Sequence, residues 1–268
     1  MDYSDMWCKT TASKNLASAI LNKHRDSFKW KNYKENILEI GCGDGSLTKT
    51  VLYSFIGDHV QELVAIDKLD YMCNYAKANN AMEGIEYRFK DAMDADHVEE
   101  MKGQFDHIFA IFVAHWIPDT KLFFENIHKM LKPDGQVFMV FLDDNVVKTS
   151  FNKQMMEKSW AKYTPIKQVF GEYTENPEQY INDLLQKIGF EIDVCEHEIA
   201  SVVIENFADF IKPLIQMYDD LHLIPSELQE EFFQYHLKNC REACTYLREP
   251  DVYLQTYGQT VVLATKSV

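Results

Sequence analysis

An α/β fold built on a mostly parallel sheet is predicted by three features of this 268-residue sequence. Short apolar runs alternate with helically spaced segments over residues 36–142, a glycine-rich turn follows the first such run, and two β-rich runs close the chain around a long insertion. The elements follow in order. Residues from about 10 to 25 read as an opening helix, and NILEIGCGDG at 36–45 is a strand entering a glycine turn. SLTKTVLYSFIG then has helical spacing, ELVAID (62–67) is a short buried strand, and MCNYAKANNA is helical again. IEYRFKDAMD gives a third strand and turn, and FDHIFAIFVAHW (105–116) a fourth strand, apolar almost throughout. KLFFENIHKMLKPDG is expected to form a helix stopped by Pro133 and Gly135, before QVFMVFL (136–142) as the fifth strand.

Beyond this core, residues 143–189 read as a helical segment interrupted by the loop TPIKQVFGEYTENPEQ. FEIDVCEHEIASVV (190–203) alternates like a strand, and YGQTVVLATK (257–266) is its expected partner in an antiparallel hairpin that closes the sheet. Residues 204–250, rich in Phe, Leu, Met and Tyr, form an insertion longer than a connection needs. With no linker or repeat, the chain reads as one domain: an N-terminal helical segment 1–35, a core 36–142, the helical segment 143–189 and the insertion 204–250.

Composition narrows the partners. Hydrophobic residues make up 46% and charged residues 26%, and no apolar run reaches the roughly 20 residues that span a bilayer. Neither a signal peptide nor a transit peptide is visible at the N-terminus, so a cytoplasmic location is expected. A net charge of -15 disfavours nucleic acid and anionic membrane surfaces. Six cysteines without CxxC spacing argue for reduced thiols, and although His236, Cys240 and Cys244 share a helical face, no metal is expected.

Gly41, Gly43 and Gly45 stand where a strand turns into a helix, and such glycines let the backbone pass beneath a ligand. The dinucleotide fingerprint would place its third glycine where this chain has Ser46. Glu39 just before the turn is poorly matched to a diphosphate and well matched to an ammonium and a sulfonium, which favours S-adenosylmethionine over NAD. Asp67 ends the second strand, where a carboxylate accepts from both ribose hydroxyls; its other reading is a helix cap. Asp91, with Ala92 beside it, follows the third strand and is placed either to accept from an adenine amino group or to hold a turn. Met72 and Leu69 supply apolar flanks.

ILEIGCGDG, LVAID, FKDAMD and the HWIPD after the fourth strand together resemble the class I S-adenosylmethionine-dependent methyltransferases, over about residues 36–142. More narrowly, WCKTTASKN, the KWK before the first strand, IGCGDGSLT and AHWIPD resemble the insect juvenile hormone acid methyltransferases, which methylate farnesoic acid and juvenile hormone acids. The resemblance implies a Rossmann-like seven-stranded, mostly parallel sheet with an antiparallel C-terminal hairpin and a helical lid insertion. It also implies S-adenosyl-L-methionine as cofactor, S-adenosyl-L-homocysteine as product, no metal, and a small hydrophobic carboxylic acid as substrate. Cofactor contacts then fall to Glu39, Gly41, Cys42, Gly43, Asp67, Lys68, Met72, Asp91, Ala92 and Phe112. Where the family carries a glutamine in its N-terminal segment, this sequence has Ser13 or Lys14, a departure that leaves a divergent paralogue open.

Methyl transfer to a carboxylate requires no general base, because an acid of pKa about 4.5 is already ionised at neutral pH. Positioning must supply the catalysis: alignment within about 3–3.5 Å contributes on the order of 7–11 kcal/mol. His115 and Trp116 are the candidates to donate hydrogen bonds to the carboxylate, and Lys14 to add a charge. Phe207, Phe210 and Met217 in the insertion are the candidate hydrocarbon contacts; a Phe/Leu/Met stripe is also what plain core looks like. The remaining readings are methylation of another small acid, methylation of amines, and a non-catalytic paralogue that binds cofactor or an apolar ligand. A small polar acid would call for several arginines, of which the chain has only Arg25, Arg88, Arg241 and Arg248. Monomer and homodimer are both compatible with the sequence.

Overall fold

A computed structural model describes residues 11–117, 119–144, 146–163, 176–216 and 223–267. The described residues divide into two compact units: those within 1–141, 173–197 and 260–268 form the first, and those within 142–172 and 198–259 the second.

Among the described residues eight strands form one sheet: β1 (Glu35–Ile40), β2 (Val60–Asp67), β3 (Ile85–Phe89), β4 (Phe105–Ile111), β5 (Leu131–Asp144), β6 (Phe190–Ile204), β7 (Thr245–Arg248) and β8 (Val252–Lys266). Their order is β3-β2-β1-β4-β5-β8-β6, with β7 beside β8. The pairs from β3 through β5 are all parallel. The pairing of β6 with β8 runs the other way: Asp193 meets Thr265, Glu198 meets Gln259 and Ser201 meets Thr256, one number rising as the other falls. The Rossmann-like sheet and its C-terminal hairpin thus stand as expected, with β7 as an added eighth strand paired antiparallel to β8.

In the first unit, α1 (Thr11–Lys23), α2 (Tyr53–Ile56), α3 (Asp70–Asn79), α4 (Ala95–Glu100), α5 (Thr120–Met130) and α8 (Pro177–Ile188) flank the sheet. The central strands are buried on both faces, as a parallel sheet between helices requires, and all seven residues of β4 are buried. Leu38, Ile66, Ile108 and Met139 pack with Phe123, Ile127 and Leu185 on one side, while Ile37, Leu63, Phe109 and Val140 pack with Leu21, Leu52 and Ile56 on the other. α8 carries its own punctuation: Asn176 caps it by accepting from Gln179 N–H at 3.1 Å, Pro177 sits in its first turn, and Gly189 ends it at φ 112°. α5 stops at Met130, short of the Pro133 that the sequence nominated, because Leu131 already pairs with Phe105 in β5. Strand pairing overrides the helical spacing there.

At the N-terminal ends of the strands a buried polar network ties the entering chain to the sheet. His107 Nδ1 lies 2.6 Å from Glu35 Oε2, and its Nε2 lies 3.1 Å from Gln136 Oε1. Gln136 Oε1 also accepts from Lys29 N–H at 2.7 Å, which fixes the amide's orientation and makes His107 Nε2 a donor.

The second unit holds α6 (Val146–Met156), α7 (Lys158–Ala161), α9 (Phe207–Gln216), α10 (Gln229–Glu242), β7 and the outer halves of β6 and β8. His236 lies at its centre, stacked on Phe151 at 4.1 Å and beside Phe232 at 4.3 Å. A neutral imidazole satisfies both of its partners, Nδ1 accepting from Ser150 Oγ at 2.6 Å and Nε2 donating to Gln154 Oε1 at 2.8 Å. Among the described residues no helix is long and apolar enough to cross a membrane.

Candidate functional site

The chain runs β1, β2, β3 toward one edge and then crosses back to place β4 on the other side of β1. That reversal opens a crevice at the carboxyl ends of β1 and β4, which is where open α/β sheets take their ligands. Glu39, the glycine turn, Asp67, Asp91 and the segment Phe112–Trp116 come from the carboxyl ends of β1, β2, β3 and β4 and lie within the first unit.

The glycine turn is held by backbone bonds, with Gly41 and Cys42 N–H both donating to Ile66 O at 2.7 and 3.0 Å. The glycines have different duties. A Cβ on Gly41 would meet Val113 Cγ2 at 2.2 Å, so this glycine permits close packing. At Gly43, with φ +54°, a Cβ would meet no described residue within 4 Å, so no described neighbour requires its bareness. The turn leads into a π-helical stretch, Thr48–Leu52, before α2. Single π turns of this kind concentrate at functional sites.

Asp67 links the turn to β2. Its Oδ2 accepts from Gly43 N–H at 3.0 Å and its Oδ1 from Leu69 N–H at 2.9 Å. Burial raises its pKa while those two amides lower it, and each oxygen retains acceptor capacity for a diol. Asp91 Oδ1 accepts from Met93 N–H at 2.8 Å, so it does hold a turn, and Asn126 Nδ2 donates to Ala92 O at 2.9 Å from α5. Met72 and Ala92 are buried, while Lys68 is exposed.

Glu39 is 2% exposed, and its Oε2 has no hydrogen-bond partner among the described residues. Burial, reinforced by the charges of Asp67 and Asp44 and opposed by the Thr48 hydroxyl, pushes its pKa up to about 7. Cys42 sits close by; its hydrogen bond to Cys73, with burial, pushes its thiol well up, so it stays protonated and packs. An orphaned buried carboxylate, a second carboxylate with spare acceptor sites and an open glycine cradle fit a ligand that carries a ribose diol and positive charge. S-adenosylmethionine is such a ligand. No group of His, Cys, Asp and Glu among the described residues is arranged to hold a metal ion.

Past β4 the backbone is strained: Phe112 sits at φ +60°, its N–H donating to Val140 O at 2.7 Å. A bulky residue in that region costs about 1–3 kcal/mol, and such strain gathers at functional sites. It turns the chain into a 3-10 turn, Ala114–Trp116, that brings the His115 and Trp116 rings to 5.3 Å. His115 is buried and Trp116 half-buried. Lys14 is half-buried in the first turn of α1. In the second unit Phe207 is fully buried with its ring 4.7 Å from Tyr253, and Phe210 is half-buried; Met217 lies outside the described residues.

Three residues that shape the site escaped the sequence reading. Tyr87 Oη lies 3.2 Å from both Gly45 O and Asn80 O, Asn80 Nδ2 donates to Asp44 O at 2.8 Å, and Asn126 holds Ala92. Each acts across at least 34 residues of sequence on the loop that it supports, so no local spacing announces it.

Residues 38–137 match a family model described as a methyltransferase domain. The juvenile hormone acid O-methyltransferase of Bombyx mori is 24% identical over 258 residues, spanning 90% of this chain and 87% of that protein. Its Drosophila melanogaster counterpart is 24% identical, spanning 81% of this chain and 74% of that protein. Among solved structures, a candidate methyltransferase of Bacillus halodurans superposes with TM-score 0.59 at 16% identity, over 93% of this chain and 100% of that one. A Haemonchus contortus phosphoethanolamine N-methyltransferase bound to S-adenosylhomocysteine superposes with TM-score 0.53 at 17% identity, over 95% of this chain and 53% of that one.

Proposed function

We infer that this chain, a class I S-adenosylmethionine-dependent methyltransferase by its domain match and its fold, transfers the methyl group to the carboxylate of an apolar acid of the farnesoic or juvenile hormone acid type. The observation that carries the acceptor assignment is the extent of the likeness to the two insect carboxyl methyltransferases, which runs well beyond the shared cofactor half into the rest of the chain. When bound, the cofactor supplies an electrophilic methyl group on a sulfonium. The protein's own part is to hold and to dry.

In this reading Asp67 accepts from the ribose hydroxyls, Asp91 and Ala92 frame the adenine, and Gly41, Cys42, Gly43, Lys68, Met72 and Phe112 bound the cofactor. Glu39 answers its positive charge. His115 and Trp116 donate to the carboxylate oxygen that is not methylated, so the acid loses water without losing its partners. Lys14 adds a positive charge from α1, and no side chain has to remove a proton, since the acceptor is ionised at neutral pH. Each buried CH₂ of an apolar acid favours binding by roughly 0.8 kcal/mol, the contribution for which the sequence nominates Phe207, Phe210 and Met217.

The test is label transfer from methyl-labelled S-adenosylmethionine to farnesoic acid, juvenile hormone acid, a saturated fatty acid and trans-aconitate, counted as extractable ester. The reading requires ester from the terpenoid acids in preference to trans-aconitate. Cofactor binding without ester from any acid would instead favour a paralogue that holds its ligands without reaction.

A further inference from the structure

We infer that Glu39 is the residue by which this site distinguishes the cationic methyl donor from its neutral thioether product, giving up a proton when the donor binds and keeping it when the product binds. The inference rests on the cofactor reading above and concerns the regulation of that same site.

The geometry is a buried carboxylate with an open hand. Glu39 is 2% exposed at the end of β1, and its Oε2 lacks a partner among the described residues. The groups that act on it come from every side of the crevice. The glycine turn contributes Asp44 and the Cys42 thiol, β2 contributes Asp67, and β3 contributes Tyr87. Asp91 adds its negative charge to Asp67, and the exposed Lys68 opposes it. Cys42 and Tyr87 are both pushed toward their neutral forms, Cys42 by its hydrogen bond to Cys73 and by burial, Tyr87 by burial. Carboxylates are therefore gathered on a desolvated site, and the full set is stable only if one holds a proton or a cation arrives. Glu39, whose value near 7 leaves it about half protonated at neutral pH, is the one able to hold that proton.

The donor and its product share the adenosine and a zwitterionic amino-acid end with no net charge. They differ by the charge on sulfur. A cation within about 4–6 Å of a carboxylate lowers its pKa by about 1–3 units, and a thioether supplies no such effect. Donor binding thus converts the Glu39 acid to carboxylate with release of the proton to solvent. After methyl transfer the sulfur has lost its charge, Glu39 takes a proton back from solvent, and the site no longer favours its occupant on electrostatic grounds. The protein so weakens its hold on a product that would otherwise compete with the next donor.

Calorimetric titration of the full chain with S-adenosylmethionine and separately with S-adenosylhomocysteine, at pH 6.0 and 7.5 and in buffers of different ionisation enthalpy, tests this directly. The expected result is release of about half a proton per donor bound near pH 7 and close to none for the product. Donor affinity is expected to fall about fivefold from pH 7.5 to 6.0 while product affinity changes less than about twofold. Glu39→Gln is expected to abolish the difference in pH response between the two ligands. Equal proton exchange for the two, or none for either while both still bind, would overturn the inference and leave the cofactor reading intact. Failure of the wild-type chain to bind S-adenosylmethionine at either pH would overturn that reading and the inference with it. The proton count is made on the wild-type protein, so the test stands even where the variant does not fold.

Discussion

Replacing Gly43 with alanine separates a ligand-facing glycine from a packing glycine. At φ +54° an L-residue costs about 1–2 kcal/mol, partly offset by the roughly 0.4–1 kcal/mol that alanine removes from the unfolded chain's entropy. No described residue stands within 4 Å of the new methyl, so repulsion from the described residues adds nothing. The net loss is about 1 kcal/mol, or roughly 2–4 °C in Tm for a chain of this size. The methyl would, however, enter the space proposed for the cofactor, and overpacking of about 1–3 kcal/mol corresponds to a loss of roughly fivefold to 150-fold in affinity. Gly41→Ala should show the reverse balance: its Cβ would lie 2.2 Å from Val113 Cγ2, and relief of that clash plus the positive φ costs roughly 2–4 kcal/mol of stability. Thermal unfolding by circular dichroism and titration calorimetry with S-adenosylmethionine measure the two quantities side by side. Wild-type affinity in Gly43→Ala would refute the placement of the ligand over this turn.

Substitution of His115 by alanine is expected to lower kcat for ester formation by a factor of about a hundred with cofactor affinity unchanged, and Trp116→Phe by a smaller factor, both read by product formation beside calorimetry. Glu39→Gln should stabilise the ligand-free protein. Because the folded-state pKa is raised from 4.5 to about 7, the native state is favoured by protonation at low pH, and that advantage is lost between these values. The variant should therefore gain roughly 3 kcal/mol over wild type above pH 7, a gain that shrinks toward pH 4.5 in denaturant titrations. His236 has the opposite sign: burial lowers its pKa from 6.5 to about 3, so the unfolded chain takes up the proton first as pH falls below 6.5. Relative to His236→Gln, wild type should lose up to about 1.4 kcal/mol per pH unit in that window.

Much of this was legible because local signals coincided with tertiary ones. The glycine turn at 41–45 follows an apolar strand that is buried at nearly every position, and Asp67 closes the next strand where β1 and β2 run in register, Ile40 opposite Ile66. The alternation over 190–203 survives as β6, since only one partner strand, β8, flanks it in the sheet order. What could not be read depends on distant neighbours. The start of β5 at Leu131 is set by Phe105, a pairing that no helical periodicity foresees. The π turn at 48–52 lies within a stretch whose spacing is simply helical. His236 shares a helical face with two cysteines in sequence, yet its ring nitrogens are taken by Ser150 and Gln154, 86 and 82 residues away. Tyr87, Asn80 and Asn126 support the crevice through backbone carbonyls, an interaction that leaves no residue-type pattern.

The claim that the chain moves an intact methyl group onto a carboxylate oxygen is tested most directly by double labelling. Farnesoic acid carrying oxygen-18 in both carboxyl positions is incubated with the protein and S-adenosylmethionine bearing a trideuterated methyl group, and the ester is weighed by mass spectrometry. The account predicts an ester that retains both heavy oxygens and all three deuterons, as attack by the carboxylate on the methyl carbon demands. Loss of one heavy oxygen, or no labelled ester from a protein that binds the cofactor, would contradict it.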